Sequence, residues 1–62
     1  MTSKNDNGYI LEFYKLGNSV KVTAIDPLTG KEATIITPLN LPQEQATKLA
    51  IQKLEYMLGK GA

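Results

Sequence analysis

Cysteine, histidine and arginine are all absent from this chain of 62 residues. Without cysteine there is no disulfide and no thiolate nucleophile. Without cysteine and histidine there is no thiolate or imidazole ligand for a metal, no Ser-His pair and no histidine general base. Without arginine the chain lacks bidentate contacts to phosphate, guanine or a buried carboxylate, since a lysine ammonium is a point charge rather than a planar fork. Apolar runs are only a few residues long, far short of the roughly 20 needed to cross a bilayer, so no membrane span is expected. The first eight residues, Met1-Thr2-Ser3-Lys4-Asn5-Asp6-Asn7-Gly8, lack the apolar stretch of a signal peptide and read as a solvated, flexible tail (1–8), which makes a cytoplasmic location the expectation.

The charges that remain nearly cancel. Seven lysines against six carboxylates leave a formal charge of +1, with the signs mixed along the chain, which argues against a dedicated polyanion binder. Lysine-only contacts would give weak, salt-sensitive binding. A chain this short buries only about 60% of the surface it exposes when unfolded, disulfides are excluded as staples, and neither thiolate nor imidazole is present to hold a structural metal. Self-association is the stabilising device left to it.

From Tyr9 to Leu16 the β-prone residues Tyr, Ile, Leu and Phe dominate, and the run stops at Gly17-Asn18, a pair suited to a two-residue hairpin turn with positive φ. Ser19 to Ile25 alternates apolar and polar residues. With Gly17-Asn18 as the whole loop, Lys15 pairs with Val20, Phe13 with Val22, Leu11 with Ala24 and Ile10 with Ile25. The next turn, Asp26-Pro27-Leu28-Thr29-Gly30-Lys31, combines a carboxylate that accepts backbone N–H groups, a proline that fixes φ and a glycine that re-enters a strand. Pairing Asp26 with Lys31 sets Ala24 against Ala33, Val22 against Ile35 and Val20 against Thr37. Two turns read independently therefore give one apolar side, carrying Tyr9, Leu11, Phe13, Val20, Val22, Ala24, Ala33 and Ile35.

That side must be covered, and the C-terminal segment supplies the cover. Pro38 ends the last strand, Leu41 or Asn40 caps a helix, Pro42 takes its first position, and Gly59 stops it after Leu58. At 100° per residue Ala46, Ala50, Ile51, Leu54, Met57 and Leu58 form one stripe about 140° wide. The expected fold is α+β: a three-stranded antiparallel β-meander, Tyr9 to Thr37, followed by one C-terminal α-helix packed on one sheet face. It forms a single βββα domain over 9–59, with a short tail at 60–62.

Function is sought in residues this fold does not consume. The helix-free side of the sheet carries cross-strand rows: Tyr14, Lys21 and Ile36; Glu12, Thr23 and Thr34; Ile10, Ile25 and Glu32. Leu16 and Ser19 lie on the same side. This surface is more apolar than one facing only water requires, and Ile10, Tyr14, Lys21, Thr23, Ile25, Thr34 and Ile36 are the candidate interaction surface. The competing explanation is that β-propensity alone selected Ile and Thr. A secondary candidate is the pair Leu49 and Tyr56, on one line of the helix away from the main stripe. The plainer account has Leu49 tucked over the sheet edge and Tyr56 flat on the surface. A third is the strand edge Ala33 to Thr37, short, β-prone and uncharged, although Lys31 and Pro38 flank it as gatekeepers.

Catalytic chemistry finds little to work with. Glu12 and Glu32 lie about 10 Å apart across the central strand, at a strand spacing of about 4.8 Å, on a flat face without a cleft. Ion pairing with Lys21 is their simpler role. The Asp26 turn lacks the alternating acidic ligands of a calcium loop, and Gly17 and Gly30 are isolated turn residues rather than a phosphate loop. No enzyme, no cofactor and no small-molecule substrate is expected.

Leu11-Glu12-Phe13, then Gly17-Asn18-Ser19-Val20-Lys21-Val22-Thr23-Ala24-Ile25-Asp26-Pro27, then Thr29-Gly30-Lys31-Glu32 resemble a family of short uncharacterised alphaproteobacterial proteins, a domain of unknown function. The resemblance covers both hairpins and extends to a helix with a Lys-Leu-Glu segment like Lys53-Leu54-Glu55. It implies this fold and a bacterial source, and it brings no activity. Members often use arginine in the helix where this chain has lysine, which weakens any nucleic-acid inference.

The resulting expectation is a non-enzymatic protein-interaction module. Its partner is a second copy in a two-fold dimer, or another protein, met through the helix-free face or a sheet edge. The alternative is weak nucleic-acid binding by the same face, by analogy with other sheet-and-helix readers. Against it stand a single lysine on that face and an acidic helix start, Pro42-Gln43-Glu44.

Overall fold

The computed structural model describes residues 8–59 and the backbone of residues 2–4. Strands β1 (Thr2–Lys4), β2 (Ile10–Leu16), β3 (Ser19–Ile25) and β4 (Glu32–Pro38) precede helix α1 (Gln43–Met57). The sheet is antiparallel throughout, in the order β1-β2-β3-β4. Its last three strands are the expected meander in the expected register, with Phe13 opposite Val22 and Val22 opposite Ile35.

β1 is an addition. It pairs Thr2 with Glu12, Ser3 with Leu11 and Lys4 with Ile10, within the segment expected to be a solvated tail. Thr-Ser-Lys carries no apolar alternation to announce a strand. What organises it is the unpaired backbone edge that β2 offers, and backbone pairing needs no particular side chain. The C-terminal tail, 60–62, lies outside the described residues.

Each turn has a specific cause. Gly17 has φ +59°, and no non-glycine residue among those described has positive φ. A left-handed first position followed by a right-handed one is the pattern of a type II′ turn, whose twist suits the flanking strands. In the second hairpin the buried Asp26 is the organising group. Its Oδ1 accepts the Leu28 N–H at 3.0 Å and its Oδ2 accepts the Thr29 hydroxyl at 3.1 Å. Its backbone closes the ladder, with the Asp26 N–H donating to Lys31 O at 2.9 Å and Asp26 O accepting from Gly30 at 2.8 Å. Gly30 adopts φ +76°, which a side chain would strain.

The helix begins one residue later than the sequence suggests. Pro42 is the N-cap, with ψ 139°, not the first helical residue. Its carbonyl still accepts the first intrahelical bond, from Ala46 at 3.0 Å, so proline's missing N–H costs nothing at this position. The helix also ends one residue earlier: Leu58 is the C-cap and Gly59, at φ +81°, turns the chain away while donating to Tyr56 O.

α1 lies on the apolar side, over β3 and β4. The buried core is Tyr9, Leu11, Val22, Ala24, Ala33, Ala46, Ala50 and Leu54, flanked by Phe13, Val20, Ile35, Leu41, Ile51 and Leu58. Ala46 and Ala50 carry no bulk beyond Cβ, so the helix approaches the sheet closely at its first two turns. Met57 is a correction to the expected stripe: it shares the angular sector but is 45% exposed in the final turn. Angular placement does not record how far along its axis a helix is covered. Two polar links fix the helix laterally: the Tyr9 hydroxyl donates to Glu55 Oε2 at 3.2 Å, and Lys53 Nζ donates to Thr34 O at 2.8 Å.

Leu54 is fully buried, the largest buried side chain that the helix contributes to the core. Leu54→Ala is expected to cost about 2–5 kcal/mol, most of the stability a domain this small commands. Urea denaturation followed by circular dichroism measures it, and a loss below about 1 kcal/mol would mean the helix does not carry the core as described.

Candidate functional site

Alternation along β2, β3 and β4 sends every second side chain to the helix-free side, where nothing else in the described chain covers them. The paired positions confirm the rows: Tyr14 with Lys21 and Ile36, Glu12 with Thr23 and Thr34, Ile10 with Ile25 and Glu32. Tyr14 is 63% exposed and Ile36 60% exposed, at opposite ends of one row, while Ile10 and Ile25 are half-buried. Leu16 extends the apolar surface at the hairpin end.

The centre of the face differs from its margins. Thr23 is buried although no element lies over it, because it sits on the central strand among longer neighbours. Its hydroxyl is 3.1 Å from that of Thr34, so one of the two donates to the other across the strands. Around them Glu12, Phe13, Tyr14, Lys21 and Glu32 complete the lining of a shallow depression of about 390 Å³. Among the described residues no buried side-chain polar atom lacks a partner.

Lys21 does not take the ion pair expected with Glu12 or Glu32. Its Nζ lies 5.8 Å from the centroid of the Tyr14 ring, its directly opposed neighbour on β2. A cross-strand cation over a ring face is favoured electrostatically and lays the lysine stem along the aromatic surface. Glu12 and Glu32 are exposed, on an open face with nothing to exclude water from a reacting centre. No cluster of three or more His, Cys, Asp or Glu able to hold a metal occurs among the described residues.

The secondary candidates fare differently. Leu49 is 47% exposed and Tyr56 77% exposed, on a part of the helix turned from the sheet. Leu49 is thus less enclosed than a residue tucked over the edge would be. The edge Ala33 to Thr37 is partly occupied, since the Lys53 ammonium binds the Thr34 carbonyl. A lysine placed on an edge carbonyl blocks a further strand from adding there.

A second concavity lies away from the open face. On the helix side, beyond the start of α1, Phe13, Val20, Thr37, Leu39, Leu41 and Ala46 line a groove of about 370 Å³. In the sequence Leu41 is a candidate helix cap and Ala46 belongs to the core stripe, and neither marks a wall of this groove. The Leu39 N–H donates to Asn18 O at 3.0 Å, which ties this linker to the first hairpin turn.

A family model described as a domain of unknown function, DUF6898, matches residues 6–61. The chain belongs to that family. The DUF6898 match takes in β2, β3, β4 and α1 whole, so the helix-free face is part of the family's domain rather than an appendage to it. No curated protein and no solved structure matches the chain.

A double-mutant cycle of Tyr14→Ala and Lys21→Met, read by urea denaturation, is expected to give a coupling of about 0.5 kcal/mol, the scale of a solvent-exposed cation–π contact. Additive effects would place the Lys21 ammonium elsewhere.

Proposed function

We propose that this DUF6898 protein is a non-enzymatic interaction module that self-associates through its helix-free face as a two-fold dimer. The observation that carries the reading is the exposure of Tyr14 and Ile36 on one row of an uncovered sheet face, with Ile10 and Ile25 only half-buried below them. Two-fold pairing would bury that apolar surface on both copies at once, an economical stabilisation for a chain of this length. The sheet edges are less favourable contacts. β1 occupies the outer edge of β2 from Ile10 to Glu12, and Lys53 sits on β4.

Three strands of seven residues present a flat patch of about 14 by 24 Å. A contact of that size falls below the standard interface, so the association is expected to be weak and concentration-dependent. Nucleic-acid binding by the same face has less support. Lys21 is the single lysine that β2, β3 and β4 place there, and its ammonium already lies over a ring. An alphaproteobacterial source and a cytoplasmic location belong to the same proposal. The first rests on the resemblance of the two hairpins. The second is checked by fractionating cells that express the protein.

Sedimentation equilibrium up to about 1 mM, a range suited to a small interface, tests the reading. The wild type is expected to approach twice the monomer mass, and Ile25→Lys and Ile36→Lys to stay monomeric while keeping the circular dichroism of the fold. A monomer across the range, or unchanged association in both variants, would overturn it.

A further inference from the structure

We propose that the groove on the helix side binds a medium-chain fatty acid anion, with the acyl chain against Phe13, Val20, Leu39 and Leu41 and the carboxylate at the Lys15 ammonium. The site is separate from the open face and does not depend on association through it.

Lys15 is out of character for its position. Alternation along β2 puts it on the same side as Leu11 and Phe13, and it is the single charged residue that β2, β3 and β4 send to the helix side. It stands at the end of the cross-strand row Lys15, Val20 and Thr37, beyond the last core position of β2. Helix α1 packs mainly on β3 and β4, and β1 pairs with β2 only from Ile10 to Glu12. Neither reaches over this end of β2.

The groove left there, about 370 Å³, falls within the roughly 300–1,000 Å³ range of small-molecule sites. Three parts of the chain supply its apolar lining: Phe13 and Val20 from the first hairpin, Leu39 and Leu41 from the linker, and Ala46 from α1. Leu39 is 46% exposed, and Phe13, Val20 and Leu41 are half-buried. Their apolar surface is therefore still in contact with water, and covering it is favourable. The linker is tied down at both leucines, since the Leu39 N–H donates to Asn18 O at 3.0 Å and the Leu41 N–H to Pro38 O at 3.1 Å. The groove exists before a ligand arrives, which spares the cost of ordering it.

Charge selects the kind of apolar molecule. Lys15 is the charged residue in the lining and no carboxylate accompanies it; Glu44, in the first helical turn, lies outside. Lys15 has no ionic partner among the described residues. The buried Thr37 hydroxyl, also in the lining, already donates to Val20 O at 3.4 Å. The side-chain donors left to a ligand are thus the Lys15 ammonium and the Gln43 amide. Donors without an acid suit an anionic head, and a narrow apolar trough beside them suits an unbranched chain.

Sodium decanoate is the probe, titrated at constant protein concentration into the full chain with labelled isoleucine, leucine and valine methyl groups. Saturable NMR shifts are expected at Val20, Leu39 and Leu41, with a Kd on the order of 1 mM, an ordinary affinity for about a dozen heavy atoms. The methyl groups of Ile10, Ile25 and Ile36 on the open face stay fixed. Hexanoate is expected to bind about tenfold or more weakly, because four fewer methylenes leave water. The exposed Lys15→Gln is expected to weaken decanoate about threefold while leaving decanol unchanged. No saturable shift up to about 10 mM, tenfold above the expected Kd, would overturn the proposal. So would decanol binding the wild type as tightly as decanoate, which would remove the role of Lys15, or shifts confined to the open-face isoleucines, which would place the chain elsewhere.

Discussion

Antiparallel pairing places Phe13 opposite Val22 and Val22 opposite Ile35, and the two faces of the sheet follow from those oppositions. Side chains alternate with period 2. A slip of one residue in either hairpin would carry the whole apolar set of that strand to the other side. The register is held at both ends by local chemistry: Gly17 in its left-handed conformation closes the first hairpin, and the Asp26 carboxylate gathers Leu28 and Thr29 to close the second. Everything the helix covers, and everything it leaves open, is decided there.

Given that register, one helix is enough. Ala46, Ala50 and Leu54 recur every four residues and bury against Leu11, Val22, Ala24 and Ala33, with small residues where the helix starts and a large one where it ends. The link from Tyr9 to Glu55 fastens β2's approach to the helix, and the link from Lys53 to Thr34 fastens the helix to the far strand. The second has a double effect, since the same ammonium that positions the helix also occupies an edge carbonyl. Both devices close off surfaces on or beside the helix side. The opposite face has no comparable cover among the described residues, which is why its apolar content is informative.

The meander was legible because two turns with different chemistry independently predicted the same face. Agreement between them is a stronger constraint than either hydrophobic pattern alone. β1 was not legible, for its residues pair through backbone on an edge and leave no mark in side-chain type. The helix limits were each displaced by one residue, because proline tolerates either the cap or the first position and glycine marks only the far boundary. Of the candidate surface, the rows of Ile10, Tyr14, Ile25 and Ile36 were readable from alternation. The burial of Thr23 and the position of Lys21 over Tyr14 were not, since both depend on how neighbouring side chains lean once the strands are side by side. The groove beside Leu39 and Leu41 was hidden for a similar reason: a linker's apolar residues do not declare which wall they form.

One sheet face is closed by the helix and the other is left uncovered among the described residues, and the five isoleucines of the chain divide accordingly. Ile10, Ile25 and Ile36 lie on the open face, while Ile35 and Ile51 pack against the core. Selective labelling of isoleucine δ1 methyl groups, followed by NMR over a dilution series, reads both faces in one spectrum. With association through the uncovered face, the methyl signals of Ile10, Ile25 and Ile36 shift with protein concentration while those of Ile35 and Ile51 stay fixed. Shifts confined to Ile35 and Ile51, or none at all, would contradict it.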